Sequence, residues 1–205
     1  MIDAGFLRTD AVVAAQAALA AGVRFFQYRD KQGTRRQVHA AAERLALFLR
    51  AADALFLVND HADIAAAVDA DGVHLGQDDL PLGNARKLLG PDRFIGISTH
   101  SVEQAMTAEQ DGADYIGFGP LYGTATKDAG PVQGLERLSA VRAAVQLPVI
   151  AIGGIDAARA AAAVQAGADG VAVISAVLGE DDIGAAARSI LLAIGQGEVM
   201  RGKRI

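Results

Sequence analysis

Four times along this chain a helix-like segment runs into glycine and gives way at once to a short apolar run. Residues 17–21 lead through Gly22 into Val23-Arg24-Phe25-Phe26, and Asp71-Gly72 precedes Val73-His74-Leu75. Asp111-Gly112 precedes a run at 115–118, and Ala166-Gly167 leads into Ala168-Asp169-Gly170-Val171-Ala172-Val173. Glycine accepts the left-handed backbone that ends a helix, so the pattern is that of a helix-to-strand junction repeated. Strands are predicted near 23–28, 54–59, 72–75, 93–97, 114–118, 148–152 and 170–174. Helices are predicted near 9–21, 35–50, 62–69, 81–89, 101–111, 134–145, 156–166 and 182–194. Val58, Ile97, Ile150 and Val173 sit in runs apolar on both faces, as parallel strands between two layers require.

Strict alternation with no break in composition predicts one (β/α)8 TIM barrel over 1–194 and a flexible tail over 195–205. An open doubly wound sheet is the rival, but residues 27–33 are not the glycine-rich turn such a sheet carries after its first strand. Helix 9–21 needs a strand before it, and only Met1-Ile2-Asp3 is available. Strand one is therefore read as truncated, or else the native start lies upstream of Met1.

The 205 residues are 52% hydrophobic, enough for a large core, and carry a net charge of −5. A broad basic surface for nucleic acid or anionic lipid is thereby excluded, and any anion must be held by a local cluster. The chain has no cysteine, which excludes disulfides and thiolate metal sites and suits a reducing compartment. No apolar run approaches membrane-spanning length, so the expectation is a cytoplasmic protein without membrane or nucleic-acid partners. Whether it forms a homo-oligomer is left open.

In such a barrel the C-terminal ends of the strands build the active face. Gln27, Arg29 and Lys31 alternate at the second of them, on one side of an extended segment. Asn59-Asp60, Gly76-Gln77-Asp78-Asp79 and Ser98-Thr99-His100 close the next three. After 115–118, Gly119-Pro120 stops the strand, and the loop that follows offers Thr124, Ala125, Thr126 and Lys127. Hydroxyls, free amides and an ammonium are what a phosphate needs. Gly153-Gly154 and Ile174-Ser175 close the last two strands.

Each has a plainer reading. Asp60, Ser98 and Ser175 suit helix N-caps, Arg29 and Lys31 suit ordinary surface charges, and His61, His74 and His100 are read as structural. The convergence argues otherwise. Three cations would meet two carboxylates and several hydroxyls at one rim. Carboxylates repel a diphosphate unless a cation lies between, and Mg²⁺ binds through one or two carboxylates plus phosphate oxygens. Asp60 and Asp79 are the candidate metal ligands. The backbone at Gly154 and at Ile174-Ser175 suggests a second cradle for a phosphomonoester.

Over most of its length, from about position 10 to 178, the chain resembles the thiamine phosphate synthase family. The resemblance rests on Gln27-Tyr28-Arg29-Asp30-Lys31, Val58-Asn59-Asp60, the segment 72–80, Gly96-Ile97-Ser98-Thr99-His100, the segment 117–127, Gly153-Gly154-Ile155 and the segment 170–175. It implies a (β/α)8 barrel that joins hydroxymethylpyrimidine diphosphate to thiazole phosphate and releases pyrophosphate. By the resemblance Gln27, Arg29, Lys31, Asn59, Ser98 and Lys127 would hold the pyrimidine diphosphate, with Arg29, Lys31, Ser98 and Lys127 acting in catalysis. Asp60 and Asp79, rather than Asp78, would bind Mg²⁺. Thr124, Ala125 and Thr126, with Gly154, Ile174 and Ser175, would hold the thiazole phosphate. The implied chemistry is dissociative and needs no protein nucleophile. Two other readings stand beside it. A paralogue that only isomerises thiazole phosphate needs no diphosphate set, and a phosphometabolite-binding barrel without turnover finds support only in the short first strand.

Overall fold

A computed structural model describes residues 1–123 and 130–202. Among these, eight strands lie side by side in chain order: β1 (Ile2–Asp3), β2 (Phe25–Arg29), β3 (Leu55–Asn59), β4 (Gly72–Leu75), β5 (Phe94–Thr99), β6 (Tyr115–Phe118), β7 (Val149–Ile152) and β8 (Gly170–Ala172). Every adjacent pair is parallel. The crossovers are α1 (Ala11–Ala20), α2 (Arg35–Ala51), α3 (Ala62–Ala67), α4 (Leu82–Leu89), α5 (Val102–Gln110), α6 (Gly134–Ala144) and α7 (Ala157–Gln165). A short α8 (Ser175–Leu178) and a long α9 (Ile183–Gly202) follow β8. This is the expected (β/α)8 fold. Strand one is the expected stub, two residues paired to Tyr28 and Arg29, and the Met1 ammonium donates to the Val173 carbonyl at 3.1 Å beside β8.

Local chemistry starts the helices where the sequence supplies a cap. Asp10 accepts from the Val12 amide, Thr34 and Gln37 form a reciprocal capping box, and Ser101 and Asp156 cap α5 and α7. The outward residues of the strands, such as Phe26, Tyr28, Phe56 and Val58, pack against these helices and are buried. The inward residues behave differently. Along the register, Asn59 stands opposite His74, His74 opposite Gly96, and Gly96 opposite Tyr115. A Cβ on Gly96 would lie 2.1 Å from the Tyr115 ring, and one on Gly117 would lie 3.1 Å from the His74 ring. Small residues here leave the barrel hollow where large aliphatic ones would fill it.

Two expectations fail. Gly72 does not end a helix; it lies inside β4, where a Cβ would sit 2.0 Å from the Phe94 carbonyl, so close strand approach explains it. The loose tail from Gly195 is instead helical, because α9 continues to Gly202. Glycine permits this rather than preventing it: a Cβ on buried Gly197 would lie 2.8 Å from the Ala161 carbonyl and from Val164 Cβ on α7. The two helices therefore approach almost backbone to backbone, and Arg201 ties the end down by donating to the Ala168 carbonyl at 3.0 Å. Gly197→Val should overpack this contact at a cost of roughly 1–3 kcal/mol. The thermal midpoint should fall by about 2–4 °C for each of those kilocalories; an unchanged midpoint would show that α9 docks loosely.

Candidate active site

The strand ends project two connected hollows. The inner one lies within the barrel, about 740 Å³ counting its open mouth, and is lined among others by Phe25, Gln27, Arg29, Asn59, His74, Ser98, Tyr115 and Ile174. A shallower basin above it is lined by Arg29, Lys31, Asn59, Asp60, Gln77, Asp78, Asp79, Ser98 and His100 among others. Arg29, Asn59 and Ser98 border both. The inner hollow is mostly aromatic and aliphatic, whereas the basin is charged.

Loop chemistry aims the charges. Asp30 accepts from the Gln32 and Gly33 amides at 3.0 and 2.7 Å, which folds the loop back and presents Lys31 inward. The Lys31 ammonium then meets Asp60 Oδ2 at 2.5 Å. Asp60 itself has φ +65°, a left-handed conformation that aspartate tolerates better than most residues. Its carboxylate does not cap α3, whose first turn follows His61 and has no side-chain cap. Asp79 reaches back to accept from the Gly76 amide at 2.7 Å, and its carboxyl borders the same basin as Asp60.

That pairing has an electrostatic cost. Burial pushes the Asp60 carboxyl above the usual carboxylate range; the Lys31 contact opposes the shift and the neighbouring Asp79 adds to it. Lys31 pairs with Asp60, while Asp79 borders the same basin without an ammonium partner among the contacts of the described residues.

The remaining anchors are buried or half-buried. Arg29 Nη1 donates to Asp3 Oδ2 at 2.5 Å, and Asp3 is itself 3% exposed. His74 lies between Tyr115, whose hydroxyl is 2.8 Å from Nδ1, and Ser98, whose Oγ is 2.9 Å from Nε2. Burial raises the Tyr115 phenol far above its ordinary value, so it stays protonated. Ser98 thus belongs to this chain of hydroxyls and imidazole, and the cap of α5 is Ser101.

The sequence expectations divide accordingly. Gln27, Arg29, Lys31, Asn59, Asp60, Asp79 and Ser98 converge on the two hollows, with Ile174 at the inner one. Gly154 and Ser175 line neither. Gly154, at φ +61°, lies against Tyr122 and Gly123 after β6, and Ser175 opens α8 at the surface rather than closing a strand. Thr124, Ala125, Thr126 and Lys127 lie outside the described residues. Asp3, His74, Tyr115 and Gln77 were not among the site residues expected. Their signal was alternation: His74 and Tyr115 point inward at every second position of β4 and β6, as Gln27 and Arg29 do on β2.

A family model described as thiamine monophosphate synthase matches residues 2–177. The chain belongs to the thiamine monophosphate synthase family. It is 48% identical over 176 residues to the thiamine-phosphate synthase of Chloroflexus aurantiacus, covering 85% of this chain and 81% of that one. It is 51% identical over 177 residues to that of Methanoculleus marisnigri, covering 86% and 84%. Among solved structures, thiamine phosphate pyrophosphorylase from Pyrococcus furiosus superimposes with a TM-score of 0.87 at 37% identity, over 95% of this chain and 94% of that one. Among the described residues no helix is long and apolar enough to cross a membrane.

The carboxylate pair sets a stability prediction for the protein free of divalent cations. Asp60→Asn removes the buried charge and keeps a side chain suited to positive φ. At neutral pH its thermal midpoint should rise by about 2–4 °C, the equivalent of roughly 1 kcal/mol. Because the native carboxyl holds its proton to higher pH than the unfolded one, stability is lost as pH rises from the ordinary carboxylate range through the raised value, and the loss is complete above it. The advantage of Asn should therefore vanish as pH falls below the ordinary carboxylate range. A pH-independent loss of stability would contradict the reading.

Proposed function

We propose that the chain is a cytoplasmic Mg²⁺-dependent thiamine phosphate synthase that places the pyrimidine in the inner hollow and the diphosphate over the charged basin. The observation that carries the proposal is the approach of Asp60 and Asp79 with Arg29 and Lys31 around the same basin. A small hard cation fits this donor set, because the two carboxylates border one basin and Lys31 pairs with only one of them, leaving negative charge that a divalent ion neutralises. Asp60 and Asp79 would hold it through oxygen, and when bound it would supply charge stabilisation to the phosphate oxygens.

The rest falls to the chain's own residues. Phe25 and Tyr115, with ring centroids 5.6 Å apart, offer an apolar wall for a flat heteroaromatic ring. Gln27 and Asn59 offer amide groups to its polar edge, and His74 fixes the Ser98 hydroxyl towards the cleavage point. Arg29, braced by Asp3, and Lys31 face the departing pyrophosphate, and Lys127 joins them by the family resemblance. The carbon–oxygen bond breaks with its electron pair leaving on pyrophosphate, and the thiazole nitrogen then donates a pair to the pyrimidinyl-methyl cation. Such a step needs preorganised positive charge and an enclosed, water-poor pocket rather than a nucleophile. By the family resemblance, Thr124, Ala125 and Thr126, with Gly154, Ile174 and Ser175, would hold the thiazole phosphate. An isomerase acting on thiazole phosphate alone would have no use for the acidic pair.

Purified protein given both substrates and Mg²⁺ should release pyrophosphate. Lys127→Ala and Asp79→Asn should each slow it by roughly 10²–10³-fold, the effect of losing one charge-stabilising group. Turnover of thiazole phosphate without any pyrimidine, or undiminished release in both variants, would sink the proposal.

A further inference from the structure

The Tyr115 hydroxyl lies inside the inner hollow, and the chemistry proposed above uses only the ring that carries it. A Cβ on Gly96 would meet that ring at 2.1 Å, so backbone contact holds the ring whether or not it bears a hydroxyl. The hydroxyl lies 2.8 Å from His74 Nδ1, and His74 Nε2 lies 2.9 Å from Ser98 Oγ. The His74 ring is set against Gly117 in the same way. Gln77 Nε2 donates to the Ser98 carbonyl at 2.7 Å and steadies the backbone of the third member. One line of hydrogen bonds thus runs from the start of β6 to the end of β5, where Ser98 borders the charged basin as well as the hollow.

The line can point either way. With the imidazole proton on Nδ1, the ring donates to the phenol oxygen, Ser98 donates to Nε2, and the phenol O–H is left over. With the proton on Nε2, the phenol donates to Nδ1, Nε2 donates to Ser98 Oγ, and the Ser98 O–H is left over. The two ends differ in what can receive that last hydrogen. Phe25 stands edge-on to Tyr115, Ile150 and Val171 line the same hollow, and among the described residues His74 is the hydrogen-bond partner of the phenol. Burial keeps the phenol protonated, and a buried O–H without an acceptor is costly. Ser98 instead shares the basin with Arg29 and Lys31, where phosphate oxygens would lie. A hydroxyl that accepts from an imidazole N–H is also polarised into a stronger donor.

We propose that Tyr115 is a positioning residue: its phenol donates to His74, which donates to Ser98, so that the Ser98 hydroxyl is left as the donor to the oxygen departing with pyrophosphate. The role rests on the synthase reading, in which Ser98 faces the cleavage point. No proton travels along the line. Each hydrogen stays on its own heavy atom, and the line sets only the direction in which Ser98 donates.

Nitrogen NMR of the histidine-labelled protein reads that direction without turnover. His74 should show a protonated Nε2 and a bare, hydrogen-bonded Nδ1; a proton on Nδ1, in the neutral or the charged ring, would overturn the proposal. Tyr115→Phe keeps the ring against Gly96 and should lower kcat for pyrophosphate release about tenfold, the worth of one hydrogen bond, with KM for the pyrimidine diphosphate within about twofold. Ser98→Ala should lower kcat by roughly 10²-fold, as loss of a charge-stabilising donor does. Adding Tyr115→Phe to Ser98→Ala should cause no further loss, because the phenol acts only through that hydroxyl. A further loss in the double variant, or a normal kcat in Tyr115→Phe, would contradict the positioning role. Ser98→Ala separates the two failures. If it turns over normally, the placement of Ser98 in the synthase reading is wrong; if it is slow while Tyr115→Phe is normal, only the role of Tyr115 fails. Should Tyr115→Phe not fold, the His74 tautomer of the unaltered protein decides the matter.

Discussion

Two carboxylates that repel each other, Asp60 and Asp79, are brought to one basin by loops from adjacent strands, near enough for Asp79 to raise the Asp60 carboxyl. Folding alone gives no reason to do this. Burial raises the Asp60 carboxyl, one lysine compensates part of the charge, and the left-handed backbone at Asp60 adds local strain. Cost concentrated in this way is typical of a site whose partner arrives later. The neighbouring basic residues are braced rather than free: Arg29 by a buried Asp3, Lys31 by the turn that Asp30 forms.

The barrel supplies the second half of the arrangement by remaining hollow. Gly96 and Gly117 face Tyr115 and His74 across the register, so two large polar aromatic side chains lie inside the sheet with their polar atoms satisfied by each other and by Ser98. An inward aliphatic residue at either glycine would fill this hollow. Polar groups at the strand ends and apolar walls beneath them follow from one rule, the alternation of side chains along parallel strands. The stub of β1 still contributes the acid that pairs with Arg29.

The alternation of helix, junction and apolar run was legible because its period is local, and seven strand positions and the helical crossovers follow from it. The candidate residues at the ends of β2 to β5 were legible for the same reason: each lies where its strand stops. What the sequence hid was long-range. The pairing of Asp3 with Arg29 spans 26 positions, and His74 with Tyr115 spans 41, so neither shows in any window. The glycines of α9 read as flexibility because propensity says nothing about a helix packed against another. Ser175 read as a strand end because the apolar run continues past Ala172, where β8 stops and a short helix begins.

The central claim is that Asp60 and Asp79 share one small cation beneath a diphosphate. Crystals soaked with Mn²⁺ and pyrophosphate, with anomalous scattering recorded at the manganese edge, test it most directly. A single strong peak touching both carboxylates and the pyrophosphate, with Arg29 and Lys31 on the outer oxygens, is the predicted result. A peak bound to one aspartate alone, or pyrophosphate seated away from this basin, would contradict the account.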